Sequence, residues 1–400
     1  MPSCCHRYIC RHTVRNTQWV NSIIKLQLPV SVVVPLDNQE PASEVYENLQ
    51  ISRFKYGFLS KGKLAFGSGM LPNLRRNPLL LLQVPIYILQ TIRTALKLRT
   101  RTTVLHANWS LPLIAAWLLH RFWKLPYVVT IRGEDFRLLK NRLFRILLSP
   151  AIEQAHAIIS VNESFVAFFK ETMKLPASKV LCIPNGVAVP EISPEQAQNF
   201  KVRYSLPAAP LIGYVGTVIP RKQIEILIKS LAQAELQTTH LILVGRLTDI
   251  TYLHQLRADA NKLGVQTRVH FLGPLPPQEI PMLLSVIDVY VSASAFEGRP
   301  NAVLEALAAG KPAVVSKIDA HQEVIVPNQN GFLCANIQEF AAAISNILND
   351  NSLLKRMSQQ AKLSVANKSW ENCAKQYVEL YTQMAQQAHE NQKDTAITDS

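Results

Sequence analysis

Residues 295–315 read AFEGRPNAVLEALAAGKPAVV, with Glu297 in a Gly/Pro stretch and Glu305 eight positions later in an apolar run. Pro300 suits a first helical turn, where its missing N–H would have no partner. Gly310 suits the left-handed position just past a helix C-terminus, and Pro312 prevents continuation. The spacing predicts a short helix carrying Glu305 in its first two turns, with Glu297 in the loop before it. Backbone N–H groups near Gly298 to Ala302 are then expected to be open, and a helix N-terminus is an anion site. Two acids beside such a site have two readings. They are helix-start acids favoured by the macrodipole, or carboxylates that accept hydrogen bonds from the vicinal hydroxyls of a sugar joined to the anion.

Working outward, the second half of the chain alternates strand and helix patterns. LIGYVG (211–216), THLILVG (239–245), RVHFLG (268–273), DVYVSAS (288–294) and PAVVS (312–316) are short β-rich runs. Between them lie helical patterns at 224–234, near 249–263 and near 277–286. Such alternation implies a parallel sheet covered on both faces. Several of the strands end at Gly or Ser, where the ligand crevice of these sheets lies. VSVVVP (30–35), TTVLHAN (102–108), YVVTIRG (127–133) and AIIS (157–160) repeat the theme less cleanly in the first half. KVLCIPNGV (179–187) ends in an Asn-Gly turn signal, and a Pro-rich polar stretch at 188–207 reads as a domain connection.

At 400 residues, 48% hydrophobic and 18% charged, the chain suits two globular domains. Its formal charge is +14. Residues 51–146 hold 17 basic residues against only Glu134 and Asp135, which points to an anionic partner or to charge-borne solubility. No stretch reads as a signal peptide, so a cytoplasmic location is expected. Cys4, Cys5 and Cys10 crowd the start beside His6 and His12, but in no closed four-ligand spacing, and no metal is expected. Cys182, Cys334 and Cys373 are scattered singly, as core thiols are.

The opening stretch, followed by Glu323 in DAHQEVI, resembles the E-x7-E signature of family 4 retaining glycosyltransferases. GTVIPRKQIEILIKSL resembles that family's glycine loop with its Arg/Lys pair. CIPNGV, LHANWSLPLIAA and LPYVVTIRGED resemble its other strand ends, in the family's order, over about residues 30–385. The resemblance implies the GT-B fold: two Rossmann-like α/β domains facing each other across a cleft. The expected divisions are an acceptor-side domain at 1–190, a nucleotide-sugar domain at 191–365, a returning helix at 366–388 and a disordered tail at 389–400. It implies a donor substrate, a nucleoside-diphosphate sugar, with no cofactor and no essential metal. Arg221 and Lys222 would clamp the diphosphate, Gly216 would let backbone approach it, and Glu305 would bind the ribose. Glu297 would contact the transferred sugar, helped by the backbone of Gly298, Arg299, Pro300 and Asn301. The Arg299 side chain either reaches a phosphate or faces water.

Two features depart from the family pattern. Arg132 stands where many relatives carry a His that meets the donor; it can bind a phosphate but cannot shuttle protons near neutrality. Asp135 nearby is an acceptor-side acid or a helix cap, and His106 reads as structural. Residues 1–29 hold no glycine and no evident strand, so the first strand and Gly-rich loop are expected to be missing, the start being truncated or the site incomplete.

The segment FGSGMLPNLRRNPLLLLQVPIYILQTIRTALKLRTR (66–101) mixes cations with apolar runs. It reads as an interfacial segment or as a buried helix pair. Peripheral association with an anionic membrane through 51–146 is expected, with a glycan or lipid-linked acceptor at the inner face of the cell membrane. A non-catalytic nucleotide-sugar-binding remnant or partner subunit is the rival reading. A nucleic-acid partner is not expected, since no recognition motif is present. A dehydrogenase is disfavoured because no G-x-G-x-x-G follows a strand.

Overall fold

The computed structural model describes residues 6–9, 22–23, 25–26, 28–36, 40–46, 48–57, 64, 73–74, 76–100 and 102–398. Cys4, Cys5, Cys10 and residues 65–72 of the cation-rich segment lie outside them. The chain divides into two units: Met1–Gly186 with Trp370–Ser400, and Val187–Ser369.

In the second unit, the five β-rich runs become strands β9 (Leu211–Val215), β10 (His240–Val244), β11 (Val269–Gly273), β12 (Val289–Ser292) and β13 (Ala313–Ser316), and Gly331–Cys334, which the sequence reading did not include, forms β14. They pair in parallel in the order β11-β10-β9-β12-β13-β14. Successive strand residues point to opposite faces. Ile212, Tyr214, Leu241, Leu243, Val291 and Val314 enter one core cluster, while Leu211, Ile242, Val244, Tyr290 and Val315 enter another. Both faces are therefore buried under helices, which is why the strands read as nearly unbroken apolar runs.

The first unit holds β1 (His6–Ile9), β2 (Val30–Pro35), β3 (Ser43–Tyr46), β4 (Leu49–Phe54), β5 (Val104–Ala107), β6 (Tyr127–Ile131), β7 (Ala157–Ser160) and β8 (Val180–Cys182). Their order is β3-β4-β2-β1-β5-β6-β7-β8, with only β3 antiparallel to its neighbour. The expectation of a missing first strand is corrected here. Residues 6–9 form β1, paired in parallel with β2 on one side and β5 on the other. HRYI lacks the β-branched run that identifies a strand in sequence; hydrogen bonds to two neighbours hold it instead.

The chain leaves the first unit after Gly186 and returns at Trp370, and the Val187 N–H donates to the Lys368 carbonyl at 2.7 Å, tying the two crossings together. The final helix, Trp370–Thr398, is longer than expected and replaces the predicted disordered tail. HENQKDTAIT contains several good helix formers, which propagate a helix already nucleated by packing. Cys373, Ala374, Tyr377, Tyr381, Met384 and Ala385 of this helix complete the core around β2, β5, β6 and β7.

Candidate active site

The strand order of the second unit reverses between β9 and β12: the chain proceeds outward through β10 and β11, then returns to β12 on the other side. In open α/β sheets the crevice beyond the strand ends at such a reversal is where ligands bind. The loops after β9 and β12 meet here.

Beyond β9, Gly216 donates to the Val244 carbonyl at 2.9 Å. Gly245, at φ +148°, lies so close that a Cβ there would fall 1.8 Å from the Gly216 carbonyl oxygen. Only glycine permits this backbone contact. A short turn, Pro220–Lys222, then leads through Gln223 at φ +48° into the helix Ile224–Leu231. Arg221 and Lys222 therefore sit at the mouth of the strand.

The loop after β12 is fastened to that turn at three points. The Ala295 N–H donates to the Arg221 carbonyl at 3.0 Å, Arg221 Nη1 donates to the Phe296 carbonyl at 2.8 Å, and Lys222 Nζ forms an ion pair with Glu297. Both partners of that pair are mostly buried, with side chains 15% and 14% exposed. The helix Asn301–Ala308 follows, preceded by Pro300. It ends as the sequence predicts: Gly310 takes φ +74°, its N–H donates to the Leu307 carbonyl, and the Lys311 N–H donates to the Ala306 carbonyl. One expectation at its start is corrected. The Asn301 N–H is not open to an anion; it donates to the Arg299 carbonyl at 2.9 Å.

Glu305 projects from the second turn of this helix. It is half-buried, and its carboxylate has no hydrogen bond or ion pair among the described residues. Burial pushes its pKa above the usual carboxylate value. Tyr290 registers both acids: burial, Tyr214, Glu297 and Glu305 together push its hydroxyl far up. Tyr214 is pushed up by burial and by Glu297, with Arg221 opposing. Glu297, Glu305, Arg221 and the two tyrosines thus share one electrostatic environment. The tyrosines were not singled out in the sequence, because on buried strands they read as core.

Arg299 does not face water. Its side chain is 7% exposed and stands 4.0 Å from Glu323. His321, also missed, is fully buried and holds Nδ1 2.8 Å from the Ser316 carbonyl. A proton on Nδ1 makes Nε2 the acceptor, and Nε2 is buried with no partner among the described residues. Burial lowers the pKa of this ring, and the charges of Glu297 and Lys222 both reach it. Among the described residues, no group of three or more His, Cys, Asp and Glu side chains is arranged to hold a metal ion.

Arg132 belongs to the first unit, at the carboxyl end of β6. Its guanidinium donates to Asn185 and Asn108 Oδ1 at 3.3 Å each. Trp109, next to Asn108, takes φ +133°, a conformation L residues rarely adopt and one that concentrates at functional sites. Asp135 acts as a cap. Its buried carboxylate accepts from the Ser110 N–H at 3.2 Å, the Ser110 hydroxyl at 2.6 Å and the Arg132 N–H at 3.3 Å, joining the starts of two helices. Burial outweighs these donors and raises its pKa to about 6. His106 is structural: Nδ1 lies 2.6 Å from the Tyr381 hydroxyl, Nε2 lies 2.7 Å from Thr130, and burial lowers its pKa to about 3.

Residues 197–364 match the family described as "Glycosyl transferases group 1", and residues 30–186 match the "Glycosyl transferase 4-like domain". D-inositol 3-phosphate glycosyltransferase of Corynebacterium urealyticum is 27% identical over 301 residues, 70% of each chain. Sucrose-phosphate synthase from Thermosynechococcus elongatus superposes with a TM-score of 0.79 at 19% identity, covering 95% of this chain and 98% of that one. Anabaena HepE, solved with UDP-glucose, superposes with a TM-score of 0.73 at 19% identity over 94% and 99%. The fold is GT-B.

Proposed function

The chain belongs to the group 1 glycosyltransferases, and we propose that it moves a hexose-type sugar from a nucleoside-diphosphate sugar to a glycan or lipid-linked acceptor. The observation that carries the donor reading is Glu305: a half-buried carboxylate without a partner among the described residues, on the helix that follows the Glu297 loop at the sheet's reversal point. A ribose supplies the two hydroxyl donors that such a carboxylate lacks. Arg221 and Lys222 would then hold the diphosphate, Arg as a fork and Lys as a point charge. Glu297 would meet the transferred sugar, so its pair with Lys222 must open when donor binds. Arg132, in the first unit, carries a cation suited to a phosphate.

In the proposed retaining, metal-independent reaction, the bond from the anomeric carbon to the phosphate oxygen breaks. A bond to the acceptor oxygen forms on the same face, and the leaving phosphate takes the acceptor's proton. Cations fixed around the diphosphate stabilise the charge that grows on it. HepE, whose structure contains UDP-glucose, is a precedent for this fold and ligand class.

Thermal melting with a panel of nucleotide sugars tests the reading, because a ligand that binds only the folded state raises the melting temperature. One nucleotide sugar should stabilise the wild-type chain but not Glu305→Ala or Lys222→Ala. Stabilisation that survives in both variants would refute the site. The absence of glycine from residues 1–29 favours one alternative, a binding remnant. Donor stabilisation with no hydrolysis or transfer would support it.

A further inference from the structure

We infer, on the donor reading above, that His321 selects the transferred sugar: its Nε2 accepts a hydrogen bond from a hydroxyl adjacent to the one that meets Glu297. Two links place the ring beside the Glu297 loop. The Ser316 hydroxyl, at the end of β13, donates to the Ser294 carbonyl at 2.6 Å. The Glu323 carboxylate stands 4.0 Å from the Arg299 guanidinium. Ser316 and Glu323 flank His321 in sequence, while Ser294 and Arg299 flank Glu297. The two short segments therefore run against one another beyond the paired strands β12 and β13, and the charges of Glu297 and Lys222 both reach the imidazole.

The ring is held by its backbone and by one nitrogen. The His321 N–H donates to the Ile318 carbonyl at 2.9 Å, and the His321 carbonyl accepts from the Ile325 N–H at 2.9 Å. Nδ1 lies 2.8 Å from the Ser316 carbonyl, and a carbonyl only accepts, so the proton is on Nδ1. Nε2 then offers a lone pair, and burial, which lowers the pKa of the ring, keeps it unprotonated. His106 shows how a packing histidine is satisfied: one ring nitrogen meets Tyr381 and the other Thr130. His321 is as deeply buried, yet its Nε2 has no partner among the described residues.

An acceptor stripped of water and left unbonded costs stability, and such groups in a folded protein call for an explanation. Glu297 beside it is a second acceptor, held by a lysine that must let go when donor binds. Two neighbouring acceptors suit two hydroxyl donors on adjacent carbons. The vicinal diol of a neutral hexose has this chemistry, whereas an anionic substituent would bring a further acceptor. Nε2 is shielded from water, so the hydroxyl reaches it as the Lys222–Glu297 pair opens.

Calorimetric titration of the full chain tests this, with UDP-glucose, ADP-glucose and GDP-mannose each compared with its nucleoside diphosphate. His321→Asn keeps a side-chain N–H for the Ser316 carbonyl and removes the Nε2 acceptor. The nucleotide sugar that binds wild type best should bind His321→Asn about tenfold or more weakly, with its nucleoside diphosphate changed by less than about twofold. His321→Gln, whose Oε1 restores an acceptor, should recover part of the difference. Among monodeoxy forms of that sugar, one should lose as much affinity for wild type and lose nothing further in His321→Asn. A role in packing alone would weaken nucleotide and nucleotide sugar together, and that result overturns the inference. Equal affinity of wild type and His321→Asn for the nucleotide sugar also overturns it, while leaving the donor reading intact. Failure of every nucleotide sugar and nucleoside diphosphate to bind wild type would refute the donor reading, and the role of His321 with it.

Discussion

Lys222 and Glu297, 75 positions apart, form an ion pair at the mouth of the second sheet, so a cation suited to phosphate and an acid suited to sugar neutralise one another. Removing Lys222 would strip charge from the donor site and leave Glu297 mostly buried without its partner. Lys222→Ala should lower kcat about 10²–10³-fold, as losing one preorganised charge-stabilising donor commonly does. Exchanging the two residues, Lys222→Glu with Glu297→Lys, separates the roles. The exchanged protein should recover much of the melting temperature lost in either single reversal, but no transfer activity. Recovery of activity would show the pair to be only structural.

Glu305 makes a sign-specific prediction. Burial raises its pKa in the folded state, so the fold favours the protonated form. Its contribution to stability is present at pH below the unfolded carboxylate value and is lost as pH rises through the folded value. Without ligand, Glu305→Gln should match wild type near pH 4 and exceed it in melting temperature at pH 8. Melting curves across that range check this, and a variant less stable than wild type at pH 8 contradicts it.

Asp135 titrates in the same direction, with its pKa raised to about 6. Between pH 4 and 6 the unfolded chain ionises this group before the folded chain does. Wild type should therefore lose stability relative to Asp135→Asn over that interval, by at most about 3 kcal/mol, and run parallel to it above. Asp135→Ala should cost about 1–2 kcal/mol even at pH 8, because two helix-start N–H groups lose their acceptor. Denaturant titrations at several pH values measure both effects.

Gly245 and Gly264 both have positive φ, but their surroundings differ. A Cβ at Gly245 would overlap the Gly216 carbonyl at 1.8 Å, whereas one at Gly264 meets nothing within 4 Å. Gly264→Ala should cost about 1 kcal/mol, from backbone strain alone. Gly245→Ala should cost more than about 3 kcal/mol and abolish stabilisation by nucleotide sugar, since it forces β9 and β10 apart at the site. Similar melting temperatures for the two variants would contradict this.

Five strands of the second sheet were legible because they are buried on both faces and read as apolar runs, three of them ending at Gly216, Gly245 and Gly273, whereas the short β14 was not read. The helix Asn301–Ala308 was bounded correctly by Pro300 and Gly310, whose conformational preferences are local. β1 was not legible, because parallel pairing with two distant strands holds HRYI in place and no local pattern records that. The cap at Asp135 depends on Ser110, 25 positions away, and the Lys222–Glu297 pair on closure of a βα crossover. His321 reads as an ordinary residue in DAHQEVI; only three-dimensional burial shows that Nε2 lacks a partner among the described residues.

Tyr377 and Tyr381, on the last helix, close the core around His106 and Thr130, while the whole second unit is spliced between Gly186 and Trp370. The second unit's sequence is therefore complete at Ser369, while the first still lacks its last segment. A released chain truncated after Ser369 should carry a protease-resistant second unit joined to a protease-sensitive first one.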